Sequence, residues 1–144
     1  MKGTQSNLPG SATSAVDKPN LVSPYWWLTL LTTLLVLLQA VLAGQGWFED
    51  RDFIDVHEIV GNVFFLAVVM QLFLTLILKI RGPIGKQLLI LNGMLLILTV
   101  VQIGLGYAGR ETAQAAAWHI PNGLLLFGVA GTIHSMVGRL RQSA

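Results

Sequence analysis

Residues 25–44 read YWWLTLLTTLLVLLQAVLAG, twenty consecutive positions without one Asp, Glu, Lys, Arg or His. A helix needs about 20 apolar residues to cross the hydrocarbon core of a bilayer. Backbone groups in lipid must bond within their own segment, which makes such a stretch a helix. Three more stretches follow the same pattern. One runs from about Val56 to Leu78 with Glu58 near its start, one from Leu88 to Ala108 without charge, and one from about Ala115 to Val137 without Asp, Glu, Lys or Arg. The composition agrees: of 144 residues, 53% are hydrophobic and only 11% charged, against roughly 25% charged in a soluble domain. The expected fold class is all-α, an integral membrane four-helix bundle.

The charges between the spans set the expected topology. Glu49, Asp50, Asp52 and Asp55 surround Arg51 in the first connection, and Arg110 and Glu111 form the third. Lys79, Arg81 and Lys86 lie around the second, Lys2 and Lys18 in the N-terminal tail, and Arg139 and Arg141 at the C-terminal end. The positive-inside rule assigns the latter three groups to the cytoplasm, with both termini, in a cell inner (plasma) membrane. Tyr25, Trp26 and Trp27 then fall at the inner interface, and Trp47, Tyr107 and Trp118 at the outer one. Residues 1–24 read as a flexible polar tail, 25–138 as the membrane domain and 139–144 as a short C-terminal tail. Val41-Leu42-Ala43 loosely fits a signal cleavage site, but the apolar stretch is longer than a signal core and follows a long polar tail. No basic patch interleaves with aromatics, which argues against nucleic-acid binding. The absence of cysteine excludes disulfides, thiolate metal sites and c-type haem attachment.

The two halves match each other. Leu38-Gln39-Ala40-Val41-Leu42-Ala43-Gly44 lies over Val101-Gln102-Ile103-Gly104-Leu105-Gly106-Tyr107, and Gly46 over Gly109. With one residue of slippage, His57 and Gly61 lie over His119 and Gly123. The unit is a two-helix hairpin, and two hairpins that start on the same side form a parallel repeat about the membrane normal. Chance similarity between Leu-rich helices is the competing reading.

His57 and His119 therefore stand at similar depth near the outer ends of the second and fourth helices, each with a glycine four residues on, along the same face. Gly61 and Gly123 would let a flat ligand approach the backbone, and Gln39 and Gln102 reach the same depth from the other two helices. Two imidazoles facing each other across a bundle can supply both axial positions of a haem iron. On that reading the metal ligands are His57 and His119, the cofactor is haem b, and Arg110 in the loop above pairs with propionates. Zinc would want further ligands, and Glu58 is the only one close by, projecting away from His57. The plainer reading makes each histidine an interfacial or packing residue. His134 lies 15 positions after His119 without a partner at Leu72, so it is read as an interfacial residue near Arg139. Pro121 is read as a first-turn proline or a small kink, and Gly104, Gly106, Gly128 and Gly131 as close-packing positions.

These His-x-x-x-Gly motifs, His57 with Gly61 and His119 with Gly123, resemble those of membrane b-type cytochromes with bis-histidine haem. The layout is similar to one half of haem A synthase, and to small uncharacterised bacterial four-helix membrane proteins. The resemblance implies a haem ligated by two histidines. Haem A synthase carries Glu three residues before the helix-two histidine and Arg just after it, where this chain has Ile54 and Glu58. The resemblance thus stops short of an oxygenase. Two functional readings stay open: a one-haem electron-transfer protein working with a quinone or an outer-face redox partner, and a haem-free structural or accessory membrane protein. A transporter would want buried charge along a path, which the spans lack.

Overall fold

The computed structural model describes residues 21–78, 80 and 82–142; the tail expected over residues 1–20, together with Lys79, Arg81 and residues 143–144, lies outside them. Four helices follow in order: α1 (Val22–Phe48), α2 (Asp52–Leu78), α3 (Gly82–Ala108) and α4 (Ala113–Gln142). All four are long and apolar enough to cross a membrane, so the protein is a multi-pass membrane protein. Each overruns the apolar stretch that announced it. A 27-residue helix spans roughly 40 Å, the full bilayer with its headgroup regions, whereas apolar runs measure only the hydrocarbon core. The boundaries expected at 24/25 and 138/139 accordingly fall inside α1 and α4. Pro121 sits well inside α4 rather than in its first turn.

The turns are closed by short polar residues and glycine. Asp50 Oδ1 accepts the Asp52 N–H at 3.0 Å, and Asp52 and Asp55 place acid in the first turn of α2, where the helix dipole favours it. Thr112 Oγ1 accepts the Ala115 N–H at 3.4 Å at the start of α4. Gly82 enters α3 with φ 80°, a left-handed conformation that favours glycine.

Each helix packs on its two sequence neighbours around a square, α4 returning to α1, while the diagonal pairs keep their backbones apart. Buried positions recur at alternating spacings of four and three, the seam of bundle packing: Tyr25, Thr29, Thr32 and Val36 on α1, and Leu88, Asn92, Leu95 and Thr99 on α3. These two sets match one to one, 63 residues apart. On α2 and α4, Phe64, Val68, Gln71 and Thr75 match Leu126, Ala130, Ile133 and Val137, 62 apart. The eight pairs are buried on both sides. Packing thus repeats the hairpin, including the one-residue slippage at its loop.

The repeat is broken chemically at the end where α1 begins and α4 finishes. Asn92 Nδ2 donates to the Tyr25 hydroxyl at 3.0 Å, and Tyr25 donates to Thr75 Oγ1 at 2.8 Å. Thr75 donates to the Gln71 backbone carbonyl at 2.8 Å, and Gln71 Nε2 donates to Asn92 Oδ1 at 2.8 Å. The directions follow because Thr75 has one hydroxyl proton and a carbonyl can only accept. The four residues close a ring through the Gln71 backbone carbonyl, and Thr32 adds a 2.7 Å bond to Gln71 Oε1. Tyr25 was expected in an interfacial belt; it is fully buried instead, because its hydroxyl completes this ring. Trp27, Trp47, Tyr107 and Trp118 remain exposed, as belt residues should.

The equivalent loop glycines offer a test of the repeat. A Cβ on Gly46 would stand 2.5 Å from Ile54 Cδ1 and 3.1 Å from its backbone nitrogen; one on Gly109 would stand 2.9 Å from the Leu105 carbonyl oxygen and 3.2 Å from Ala116 Cα. Gly46→Ala and Gly109→Ala should each lower stability by about 1 kcal/mol through overpacking. Gly44→Ala meets open space and should not lower it. Thermal unfolding of the purified protein in detergent checks this; equal behaviour of all three variants would contradict it.

Candidate bis-histidine site

The loop-bearing end of the bundle holds both halves of the expected site. α2 and α4 are diagonal helices, yet His57 and His119 bring their rings to 6.1 Å between centroids with an interplanar angle of 54°. The backbones stay apart and the imidazoles fill the gap, which requires both to point inward at one depth. Each is half-buried.

His57 is oriented by the neighbouring hairpin helix. Its Nδ1 stands 3.1 Å from the Gln39 backbone carbonyl. A carbonyl only accepts, so Nδ1 carries the proton and Nε2 keeps its lone pair, the arrangement a metal-ligating histidine needs. Gln39 returns the bond: its Nε2 donates to the His57 carbonyl at 2.9 Å. In the second hairpin, Gln102 Oε1 accepts from Asn122 Nδ2 at 2.6 Å, and Asn122 also reaches the Leu98 carbonyl at 3.0 Å. His119 Nδ1 lies buried beside the Gln102 carbonyl without a completed hydrogen bond. Gln39 Oε1 is likewise buried and unpartnered.

The two glycines are where the glutamine amides lie. A Cβ on Gly61 would come 3.2 Å from Gln39 Nε2, and one on Gly123 would come 3.3 Å from Gln102 Nε2. Gly106 is equally close to the site, since a Cβ there would stand 3.3 Å from His119 Cε1. That contact belongs to the Gly104–Gly106 stretch, which sequence alone suggested only as helix packing.

Arg110 in the α3–α4 connection pairs with Glu58 on α2 and lies 5.1 Å from the Tyr107 ring centroid. Both partners are substantially exposed. This pair joins the two hairpins beside the histidines and accounts for Glu58, which points away from His57 toward the loop. Among the described residues no group of three or more His, Asp or Glu side chains converges.

His134 lies at the other end. Its Nδ1 stands 3.0 Å from Thr29 Oγ1, whose own proton goes to the Trp26 carbonyl at 2.8 Å. Nδ1–H is therefore the donor. The ring also lies 5.1 Å from Trp26, so His134 ties α4 to α1 rather than facing headgroups beside Arg139.

Fold and site together define a four-helix membrane bundle with a paired imidazole centre at one end and a closed polar ring at the other. No protein-family model matches the chain, and neither does any curated protein or solved structure.

Proposed function

We propose that this protein is a one-haem, b-type membrane electron-transfer protein with His57 and His119 as axial ligands. One observation carries the reading: the 6.1 Å separation of the two imidazoles. The two rings meet at one depth between diagonal helices, an arrangement from which two imidazoles could hold one haem iron. The tautomer held on His57 by the Gln39 carbonyl and the orphaned atoms His119 Nδ1 and Gln39 Oε1 support it further.

In this reading His57 and His119 would hold the iron, and the Gln39 carbonyl fixes the direction of the His57 ring. Gly61 and Gly123 would leave room for the macrocycle, in the space where the Gln39 and Gln102 amides lie. Arg110, paired with Glu58, would be the residue to hold the anionic edge of the ligand. Reversible gain and loss of one electron is the chemistry haem b supplies under double ligation. The electron donor and acceptor are external, a membrane quinol or another redox partner at the outer face being the donor. Titrating the full-length protein in detergent with haem b should saturate at one equivalent per chain, and a quinol analogue should then reduce it. No saturable uptake would overturn the site. Uptake without reduction, by quinol or small outer-side donors, would overturn electron transfer alone.

A haem-free packing role is the second reading. It is favoured by the reciprocal Gln39–His57 bonds and by the amides over Gly61 and Gly123, which join helices without a ligand.

The proposed orientation puts both termini in the cytoplasm of a cell with this protein in its inner membrane. Arg139 and Arg141 lie in the last turn of α4, and Lys86 lies near the start of α3 at the same end; Glu49, Asp50, Asp52 and Asp55 crowd the other. In this cysteine-free chain, Asp50→Cys should react with an impermeant maleimide in intact cells. Gln142→Cys should react only after permeabilisation. The opposite pattern would invert the topology.

A further inference from the structure

We infer that the paired-imidazole site is built unequally: His57 is its anchored half, and His119 is the half that lets go first. The repeat makes the comparison a controlled one, because each position near one ring has a counterpart near the other. Three differences point the same way. The Gln39 backbone carbonyl takes the His57 Nδ1–H at 3.1 Å, whereas His119 Nδ1 is buried beside the Gln102 carbonyl without a completed bond. Gln39 Nε2 returns a 2.9 Å bond to the His57 carbonyl, and no matching bond runs from Gln102 to the His119 carbonyl. Asn122 stands there in the place of Val60, and its amide holds Gln102 Oε1 at 2.6 Å and the Leu98 carbonyl at 3.0 Å. Pro121, inside α4, stands in the place of Ile59. Proline has no N–H, so the Ala117 carbonyl, four residues back, has no helix donor on the turn that carries His119.

A carbonyl bonded to the outward ring nitrogen fixes the tautomer and direction of a ligating imidazole, and losing such a partner weakens metal affinity about 10–100-fold. His57 has that partner and His119 does not. His119 also stands on the weakened turn, and Gly106 leaves space beside its ring, where a Cβ would come 3.3 Å from Cε1. One imidazole is thus held in place while the other is free to turn. That the pair holds haem rests on the function proposed above; the inequality of the two rings does not, and the two are tested apart.

The first arm of the test needs no haem. Heteronuclear NMR of the full-length, haem-free protein, labelled at histidine and held in detergent, should show His57 as the Nδ1–H tautomer alone and His119 as an exchanging mixture of both. Pro121→Ile/Asn122→Val, which writes the first hairpin's residues into the second, should bring His119 to a single tautomer, with the His57 signal reporting that the variant is folded. A single Nδ1–H tautomer at His119 in wild type, or continued exchange there in the folded double variant, would overturn the inference. The second arm uses haem b. His119→Ala should bind it about tenfold more tightly than His57→Ala, since it keeps the ring that has its carbonyl partner. Equal affinities, or the reverse order, would overturn the inequality and leave the bis-histidine reading standing. A wild type that takes up no haem would overturn that reading, and the NMR arm alone would then decide the inequality.

Discussion

Replacing either His57 or His119 by Ala is expected to abolish low-spin haem absorption, while His134→Ala leaves it unchanged. Low-spin iron requires two strong axial ligands, and of the three histidines only His57 and His119 bring their rings together. With one of them gone, a single histidine would be left to hold the iron, and the low-spin bands would be lost. His134 sits at the opposite end and is bound to Thr29 and packed on Trp26. Its loss should loosen the α1–α4 contact without touching the spectrum. Gln39→Leu is the intermediate case. It keeps the backbone carbonyl that orients His57 but removes the side-chain bond back to the His57 carbonyl. The low-spin bands should survive. Optical spectra of the four purified variants after haem loading decide this, and unchanged bands in both His57→Ala and His119→Ala would remove the assignment.

Gln71→Leu should produce the largest loss of stability in the bundle. Gln71 accepts from Thr32, donates to Asn92, and is fully buried. Hydrogen bonds inside a bilayer contribute about 0.6 kcal/mol on average. An orphaned buried acceptor such as Asn92 Oδ1 costs about 1–3 kcal/mol more. The sum is about 2–4 kcal/mol. The double variant Gln71→Leu/Asn92→Leu removes both partners of that bond, so its loss should fall short of the two single losses added. The pseudo-equivalent of Gln71 is Ile133, which shows that the scaffold accepts an apolar residue at this position. Chemical or thermal unfolding in one detergent measures the cycle. Strict additivity would mean that the ring is not a cooperative unit.

The four spans could be read from the sequence because lipid forbids charge and open backbone, and the stretch 25–44 obeys both constraints without exception. The pairing of Gln39 with Gln102 and His57 with His119 was readable for a similar reason: polar residues are so scarce in these spans that two matched sets stand out. The polar ring was not foreseen. Thr32, Gln71, Thr75 and Asn92 are neutral and scattered among leucines, and hydropathy averages hide them. Their signal lies in the spacing, alternating fours and threes along α1 and α3, with polar residues at seam positions. The helix ends were missed because headgroup-level turns tolerate Asp52 or Arg139 as readily as a loop does. The space above Gly61 and Gly123 could not be assigned from sequence either. A glycine marks room for something, and the structure puts the amides of Gln39 and Gln102 there.

The central claim is that the imidazole pair ligates haem, and the optical spectrum of the wild-type protein purified from haem-replete cells tests it most directly. The account predicts one haem per chain, with the sharp bands of a six-coordinate low-spin centre appearing on reduction by dithionite. A protein that purifies without colour and takes up no haem when haem is supplied would contradict it.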